Sequence, residues 1–482
     1  MWLIFLMVYV VSFLLLMWKK PKFFFNPVFW MVEAGVWVIG MYYTSGFVYN
    51  YPLKWNGLLY YLLVIILFCV GFFIGKKYKI RIRKNKNVSK NCAVVTGIQN
   101  KIVANRYYKG ISEQVKEKTE KVMKQKFVST VCQELRQAKD IFVVMNKKIY
   151  SLIVFLGAII FLVDFIIHNI GNTQSLHTEA VLSKVGVLAK ICLLLGIVVW
   201  LGELAYAVQN NKKPSIVGCL AAISYFIPAL LTSGRQSFLI FIIATLAIFM
   251  YSLNQQKQYK YLKQLIFLGI AAVFVIVGFS VFVAMTRQVV YNKANLFERM
   301  FNCSIPEQTK KIFFLMGPIG MLLCEVISYY SHELPMFQVF LDHWDSAPML
   351  GTSQLPLIST NISQNSMFSH TAMWDKLNIM SEEANVYAHV WRTISADCII
   401  DFGIIGGLIF MLFLGWVAGC IYRKTLENNT MKNQILLAMV NSGVFFSMQF
   451  SPFAEGYWYF PMLWLVIALP IINSIVKGII RK

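Results

Sequence analysis

The chain has 482 residues, of which 58% are apolar or aromatic and 14% are charged, and its mean hydropathy is +0.60. Soluble domains are about 45–50% apolar and about 25% charged, so the composition excludes a multidomain soluble enzyme. The aromatic content of 15% argues against disorder, because disordered chains are poor in aromatic residues. The expected class is an all-α polytopic membrane protein.

Apolar runs long enough to cross a bilayer recur along the chain. A helix needs about 20 mostly apolar residues to cross the hydrocarbon core. Eleven runs meet this rule, at 2–18, 28–48, 55–75, 149–167, 181–207, 215–231, 237–253, 264–285, 398–420, 433–450 and 461–477. The first run is followed by lysines and preceded by none, which is the reverse of a cleavable signal peptide, so we expect a retained helix.

These runs divide the chain into five parts. They are helices 1–3 (1–75), a basic loop (76–148), helices 4–8 (149–285), a long connection (286–397) and helices 9–11 (398–482). The basic loop has 20 Lys/Arg against 5 Asp/Glu, and it shows the periodicity of an amphipathic helix from Ser112 onward. A cationic loop beside membrane spans is typical of the cytoplasmic side, which explains the net charge of +23 without nucleic acid as a partner.

Alternating spans place the other basic connections on the same side as the basic loop. The long connection 286–397 has 7 Lys/Arg against 10 Asp/Glu and falls on the opposite side. The sequence therefore predicts an outer N-terminus, a cytoplasmic C-terminus and an outer long connection. Within it, 312–330 is apolar but is interrupted by Gly317-Pro318 and Glu325, so we expect a helix lying on or dipping into the outer leaflet.

The long connection also contains the side chains best suited to carbohydrate chemistry. Aromatic residues alternate there with amides and with the carboxylates Asp342, Asp345, Glu382 and Glu383. His343 with Asp342 and Asp345 could ligate a cation, but the spacing matches no recognisable ligand set, and no metal is predicted. No P-loop, GxSxG or HExxH motif is present. The chain therefore lacks the nucleotide-binding motif of an ATP-driven pump.

Three arginines fall on the predicted outer side, where the positive-inside bias gives no reason for them. Arg235 lies between the sixth and seventh runs, Arg287 at the end of the eighth, and Arg392 just before the ninth. Guanidinium groups at headgroup depth suit bidentate contact with phosphate oxygens. Each alone could equally anchor a lipid headgroup, but the three together indicate a phosphate-bearing lipid substrate.

Ionisable residues inside apolar runs are costly and often functional. Asp164 and Asp401 lie near outer ends and could join the same site, and Lys190 could pair with an acid or snorkel. The ninth run also contains two GxxxG steps, 403–407 and 415–419, which predict close helix packing.

Two segments resemble bacterial oligosaccharide repeat-unit polymerases, the family that makes O-antigen and capsular polysaccharide. The SGRQ at 233–236 follows an apolar run, as the SGSR-type motif of that family does. The segment ANVYAHVWRTISADCIIDFGIIGGLIF at 384–410 resembles the stretch that enters a late span of these enzymes after a large outer loop. The basic loop at 76–148 departs from the short inner loops of the family.

The resemblance implies a GT-C-like membrane glycosyltransferase that uses undecaprenyl-diphosphate-linked oligosaccharide, with no nucleotide sugar, metal or other cofactor. It implies a location in the inner membrane. The expected partners are membrane lipids, a flippase and a chain-length regulator. Arg235, Arg287 and Arg392 would then contact the diphosphate.

The base that activates the acceptor hydroxyl would be His389 or one of the outer carboxylates Asp342, Asp345, Glu382 and Glu383. Asn385 and Tyr387 would shape the site, and Asp401 would cap the ninth span beside it.

Three other functions fit the same architecture. An O-antigen-type ligase would transfer a finished chain to a different acceptor. A lipid-linked oligosaccharide flippase or other transporter would place its polar groups at mid-membrane and have little outer mass. A sensor or scaffold would use the basic loop to dock a partner. The 112-residue connection at 286–397 and the outer arginines favour an extracytoplasmic active site.

Overall fold

The structure is a computed structural model that describes residues 1–77, 151–168, 183–231, 236–255, 260–264, 269, 278, 293–344, 348–355, 359, 366, 368–387 and 393–471. Helices account for most of the described residues, and the strands among them are one two-stranded pair. Within the described residues, five helices are long and apolar enough to cross a membrane. The chain is therefore an all-α membrane protein, which confirms the class expected from the composition.

The helices are labelled in chain order. Those before the long connection are α1 (Trp2–Lys19), α2 (Pro27–Thr44), α3 (Trp55–Lys77), α4 (Ser151–His168), α5 (Lys184–Leu194), α6 (Gly196–Gln209), α7 (Ile216–Leu231) and α8 (Gln236–Gln255). Those within and after it are α9 (Lys293–Met300), α10 (Glu307–Leu315), α11 (Gly317–His343), α12 (His370–Ala384), α13 (Ile394–Glu427), α14 (Met431–Phe446) and α15 (Gly456–Leu463).

Five of the predicted runs coincide with these long apolar helices, namely α3, α4, α5 together with α6, α8 and α13. The run at 181–207 is not one straight helix, because it is interrupted at Leu195. A side chain at Gly196 would collide with the carbonyl of Ala221 on α7, so the interruption lies where two helices approach closely. The run at 264–285, apart from isolated positions, and the basic loop beyond Lys77 with its predicted amphipathic helix lie outside the described residues.

The most extensive packing between two of the described helices joins α3 to α13. A Cβ atom on Gly415 would overlap the carbonyl oxygen of Phe68, and one on Gly419 would overlap that of Phe72. Gly71 and Gly75 meet the backbone of α13 in the same way. The predicted GxxxG step at 415–419 is thus confirmed as close packing, and it faces a second GxxxG step on α3.

The other GxxxG step has a different role, so its prediction as a packing motif was wrong for Gly403. This residue has a φ of +72°, and among the described residues no neighbouring element comes within 4 Å of where its Cβ would be. Glycine adopts this conformation without steric cost, and here it breaks α13 into two helical pieces. The carbonyls of Ile400 and Asp401 consequently accept bonds from the backbone N–H groups of Met349 and Leu350, at 3.1 and 2.9 Å.

A short antiparallel pair of strands ties the connection after α2 to the long connection. Strand β1 (Val48–Tyr49) pairs with β2 (Cys303–Ser304). The Tyr49 hydroxyl extends the link by donating to Ser331 Oγ on α11, at 2.7 Å. This pairing holds 50–54 beside the C-terminal half of α11.

The helix expected at 312–330 is a hairpin of α10 and α11. The chain reverses at Gly317, which has a φ of +56°, and Gly320 packs directly on the carbonyl of Phe313. Apolar side chains at the tip are exposed, with Leu315 83% and Phe314 63% accessible, as expected for a segment that enters lipid. The helix runs beyond the predicted end to His343, and its residues 331–340 are all buried against neighbouring helices.

Candidate functional site

The end of α11 carries a carboxylate that is held by three donors. Asp342 Oδ2 accepts from Lys54 Nζ and from the Tyr51 hydroxyl, both at 2.6 Å, and Oδ1 accepts from Gln338 Nε2 at 3.0 Å. Burial opposes ionisation of Asp342, but these hydrogen bonds and the Lys54 charge together lower its pKa. A carboxylate with a lowered pKa accepts protons weakly, so the geometry favours Asp342 as an anchor over Asp342 as the base.

His343 lies between a carboxylate and the same phenol. Its Nδ1 is 3.4 Å from Glu383 Oε2 on α12, and its Nε2 is 3.1 Å from the Tyr51 hydroxyl. Because that hydroxyl donates to Asp342, its oxygen can accept a hydrogen bond from His343 when Nε2 carries the hydrogen. The imidazole can then take up a proton at Nδ1 beside Glu383 while Tyr51 fixes its orientation.

This cluster is open to solvent and carries cations and aromatic rings at its edge. The side chains of Lys54 and Glu383 are 56% and 55% exposed, and that of His343 is 26% exposed. Lys376 Nζ lies 5.6 Å from the centroid of the Trp344 ring, one residue beyond α11. Aromatic faces beside hydrogen-bonding groups can stack on the apolar face of a sugar.

Three further predicted site residues belong to the end of α12. Asn385 has a φ of +50° and ends the helix in the left-handed conformation, with its N–H directed to the Glu382 carbonyl at 3.3 Å. The backbone N–H of Tyr387 donates to the Met300 carbonyl at 2.9 Å, while its side chain is exposed. The backbone of Asn385 and Tyr387 therefore positions 385–387 next to Glu383. The side chain of the third residue, Glu382, is exposed.

The other predicted site residues lie outside the described residues. They are Arg235, Arg287, Arg392, His389 and Asp345. Their convergence on one site stays a prediction.

Asp164 and Asp401 have separate hydrogen-bond partners. Asp164 accepts from the hydroxyl and the backbone N–H of Ser183, at the start of α5. Asp401 is fully buried and accepts from the Ser353 backbone N–H and from Gln354 Nε2, each at 3.0 Å. The prediction that Asp401 caps the ninth span was wrong, because Thr393 is the N-cap of α13 and Asp401 instead fastens 353–354 to the broken helix.

Replacing Asp401 with alanine is expected to destabilise the protein by about 2–4 kcal/mol, because it leaves two buried hydrogen-bond donors without an acceptor. Asp401→Asn, which keeps one acceptor in place, should lose less. Thermal unfolding in detergent, followed by tryptophan fluorescence, measures both changes. An Asp401→Ala protein that unfolds at the wild-type temperature would show that the 353–354 segment does not depend on this carboxylate.

A second titratable cluster lies at the start of α15. Burial raises the pKa of Glu455 to about 7, and the charge of Lys190 on α5 opposes that rise. Lys190 Nζ lies 5.8 Å from the centroid of the Tyr457 ring, and the Tyr225 hydroxyl on α7 donates to the Tyr457 carbonyl at 3.4 Å. The sequence left open whether Lys190 pairs with an acid, and the structure places it within electrostatic reach of Glu455.

Stability is expected to fall as the pH rises from about 4.5 to about 7. The folded state holds the Glu455 proton more tightly than the unfolded chain, so ionisation of this carboxyl favours unfolding by about 3 kcal/mol at most. Glu455→Gln should remove this component, whereas Asp375→Asn, an exposed position on α12, should keep it. Melting temperatures measured from pH 4 to pH 8 test the expectation, and an unchanged slope in Glu455→Gln would contradict it.

Sequence reasoning missed Tyr51, Lys54 and Glu455. Lys54 carried a usable signal, because it is a cation on the predicted outer side, which is the argument that singled out the arginines. Glu455 is the acid in the short connection before the last run. Tyr51 gave no signal, since its role depends on contacts with residues almost 300 positions away.

Among the described residues, no three His, Cys, Asp or Glu side chains converge as metal ligands. Comparisons of the chain with protein families, with curated proteins and with solved structures find no match.

Proposed function

We propose that the chain polymerises lipid-linked oligosaccharide repeat units on the outer face of the cytoplasmic membrane. In this proposal eleven transmembrane helices of GT-C-like architecture present 286–397 outside, with an outer N-terminus and a cytoplasmic C-terminus. The enzyme transfers the growing glycan from undecaprenyl diphosphate to a sugar hydroxyl of the next lipid-linked unit. The product would be a capsular, O-antigen or other exopolysaccharide.

The observation that carries the proposal is the row of Glu383, His343 and Tyr51 beside the Lys54–Asp342 pair. Glycosyl transfer from a lipid diphosphate needs a base for the acceptor hydroxyl and cations for the departing diphosphate. The cluster offers both, with the base in the long connection and the cation just before α3, and the half-buried Trp344 ring follows His343. On this geometry we propose His343, assisted by Glu383, as the base.

The reaction then proceeds by displacement at the anomeric carbon of the donor glycan. The acceptor hydroxyl gives its proton to His343 Nδ1 as its oxygen bonds to that carbon. The bond between the anomeric carbon and the phosphate oxygen breaks, and undecaprenyl diphosphate leaves with the electron pair. Lys54 is a cation for the leaving group, together with the predicted contacts Arg235, Arg287 and Arg392.

Deletion of the gene tests the function against its rivals. We expect membranes of the deletion strain to accumulate single lipid-linked repeat units on the outer side. Long unattached chains would instead indicate a ligase, and units retained on the inner side would indicate a flippase. A strain with unchanged surface glycan would overturn all three.

Arginine substitution tests the diphosphate contacts. Arg235→Ala and Arg287→Ala are each expected to reproduce the accumulation of single repeats without lowering the amount of protein in the membrane. Arg299→Ala, an exposed position on α9 in the long connection that also contains Arg287, is the matched control and should polymerise normally. Full polymerisation in both test variants would remove these residues from the site.

A further inference from the structure

His332 is a fully buried histidine on α11 that the proposed reaction does not use. Its Nδ1 lies 2.8 Å from the Ser328 carbonyl, one turn earlier on the same helix. A carbonyl oxygen can only accept, so Nδ1 carries a hydrogen and donates it. The ring stacks on Phe301, with centroids 3.8 Å apart, and this contact fixes its orientation. Nε2 therefore points away from the backbone of α11, and among the described residues it has no hydrogen-bond partner.

This imidazole offers an acceptor that lacks a donor. The described partner of the ring is a carbonyl and not a carboxylate, and a buried imidazolium without an acid beside it is costly. The ring is therefore neutral, and Nε2 keeps its lone pair. A buried acceptor without a partner costs free energy, because it has lost its hydrogen bond with water. A ligand group that donates to Nε2 would restore that bond.

His332 lines a small cavity whose other walls are mostly apolar. The cavity measures about 10 Å³, which is room for one water-sized group. Beside His332 and Tyr51, the side chains that form its walls are those of Phe301, Pro335, Met336, Val339 and Val386. All of these lining residues are buried except Tyr51, so the cavity opens beside the Tyr51 ring. The Tyr51 hydroxyl is already bonded within the candidate site, so Nε2 is the nitrogen that remains for a ligand.

The cavity lies on the face of α11 that carries the proposed base. His332 and His343 are eleven residues apart, which is about three helical turns, so both project from the same side of the helix. Tyr51 connects the two places, because its ring lines the cavity and its hydroxyl lies 3.1 Å from His343 Nε2. The length of one tyrosine side chain therefore separates the cavity from the base, and a sugar ring is of similar size.

A hydroxymethyl group of a sugar suits this cavity better than a water or a ring hydroxyl does. Buried waters typically make about three hydrogen bonds, and the lining side chains leave one acceptor. A ring hydroxyl is attached directly to the sugar ring, whereas the oxygen of a hydroxymethyl group projects one carbon further. The hydroxyl would enter the cavity and donate to Nε2, while the CH₂ group would contact the apolar walls at its mouth.

We propose that this cavity binds the hydroxymethyl group of a hexose in the lipid-linked repeat unit, with His332 Nε2 as the hydrogen-bond acceptor. The inference deepens the proposed function and rests on it for the substrate being a glycan. The sugar lies along Tyr51, with one hydroxyl at His343 and its hydroxymethyl group in the cavity. His332 is thus a specificity-determining residue that selects hexoses over 6-deoxyhexoses, and it takes no part in bond formation.

Binding of matched sugar pairs to the purified full-length protein in detergent tests the proposal, with native mass spectrometry as the readout. The probes are undecaprenyl-diphosphate-linked glucose, galactose and mannose, each paired with its 6-deoxy analogue. In at least one pair the hexose is expected to bind at least about tenfold more tightly, because the analogue leaves Nε2 without a donor. Equal binding within every pair, or no binding of any probe, would overturn the proposal.

Substitution of His332 tests whether the preference arises at this cavity. His332→Phe keeps a flat ring against Phe301 but removes the acceptor, so the difference within the pair should disappear. His332→Gln can offer an amide oxygen and should keep part of the difference. Tyr330→Phe is the matched control, because it also removes one polar group from α11 but packs against Trp37, away from the cavity. Melting temperatures establish that each variant is folded, and a full preference in folded His332→Phe would overturn the site.

These outcomes are separable from those of the polymerase test. If gene deletion leaves surface glycan unchanged while the sugar preference depends on His332, the cavity stands as a sugar site and the polymerase assignment falls. If deletion leaves single repeats while both members of every pair bind equally, the polymerase assignment stands and the hydroxymethyl site falls.

Discussion

Gly415→Ala is expected to prevent accumulation of folded protein in the membrane. The added Cβ would overlap the carbonyl oxygen of Phe68, which belongs to the backbone of α3 and cannot rotate away. The two helices would have to separate over the whole length where Gly71, Gly75 and Gly419 make equally close approaches. Overpacking of a core side chain costs about 1–3 kcal/mol, and displacing two helical backbones should cost more.

The matched control is Gly202→Ala on α6. The Cβ added there would lie 3.5 Å from Ile435 Cδ1, which is an ordinary van der Waals distance to a flexible side chain. Alanine also favours a helix over glycine by about 1 kcal/mol, so this variant should fold as well as the wild type or better. Monodispersity on gel filtration and the melting temperature compare the two variants. Equal behaviour would contradict the close packing of α3 on α13.

Separation of α3 from α13 would also change the geometry of the candidate site. Lys54 directly precedes α3, and Tyr60 on the first turns of α3 donates to the Ile404 carbonyl just after the break in α13, at 2.7 Å. A displaced α3 would move Lys54 and Tyr51 away from Asp342. The glycine packing therefore supports the geometry of residues that lie far from it along the helix.

The apolar helices and the close glycine packing could be read from the sequence because both depend on local composition. A run of about 20 apolar residues has few alternatives to a membrane helix, and small residues four apart leave room for a neighbouring backbone. The same glycine pattern could not distinguish packing at Gly415 from a helix break at Gly403. That difference arises because 349–350 supplies donors to the carbonyls that the break releases.

The candidate site was predictable only in part. The long connection and the carboxylates Asp342 and Glu383 stood out by composition, but neither their partners nor their roles did. Tyr51 and Lys54 reach Asp342 because strands of two residues each pair across more than 250 positions, and such short strands leave no periodic pattern. The sequence also did not show that Lys54 ion-pairs with Asp342 and lowers its pKa, which makes Asp342 a weaker candidate for the base.

His343→Ala is expected to lower polymerisation by about 10²–10⁴-fold if the imidazole is the base. Glu383→Gln keeps the ring in place but removes the charge beside Nδ1, so a smaller loss is expected. Tyr51→Phe removes the hydroxyl that orients Nε2 and also one donor to Asp342. The ratio of polymer to single lipid-linked repeats in isolated membranes measures each effect, with protein abundance determined in the same samples.

The matched control is Asp375→Asn, an exposed carboxylate two turns before Glu383 on α12, which should keep the wild-type activity. If His343→Ala polymerised as the wild type does, the proton would be going to another group, and the row of Glu383, His343 and Tyr51 would have a structural role only.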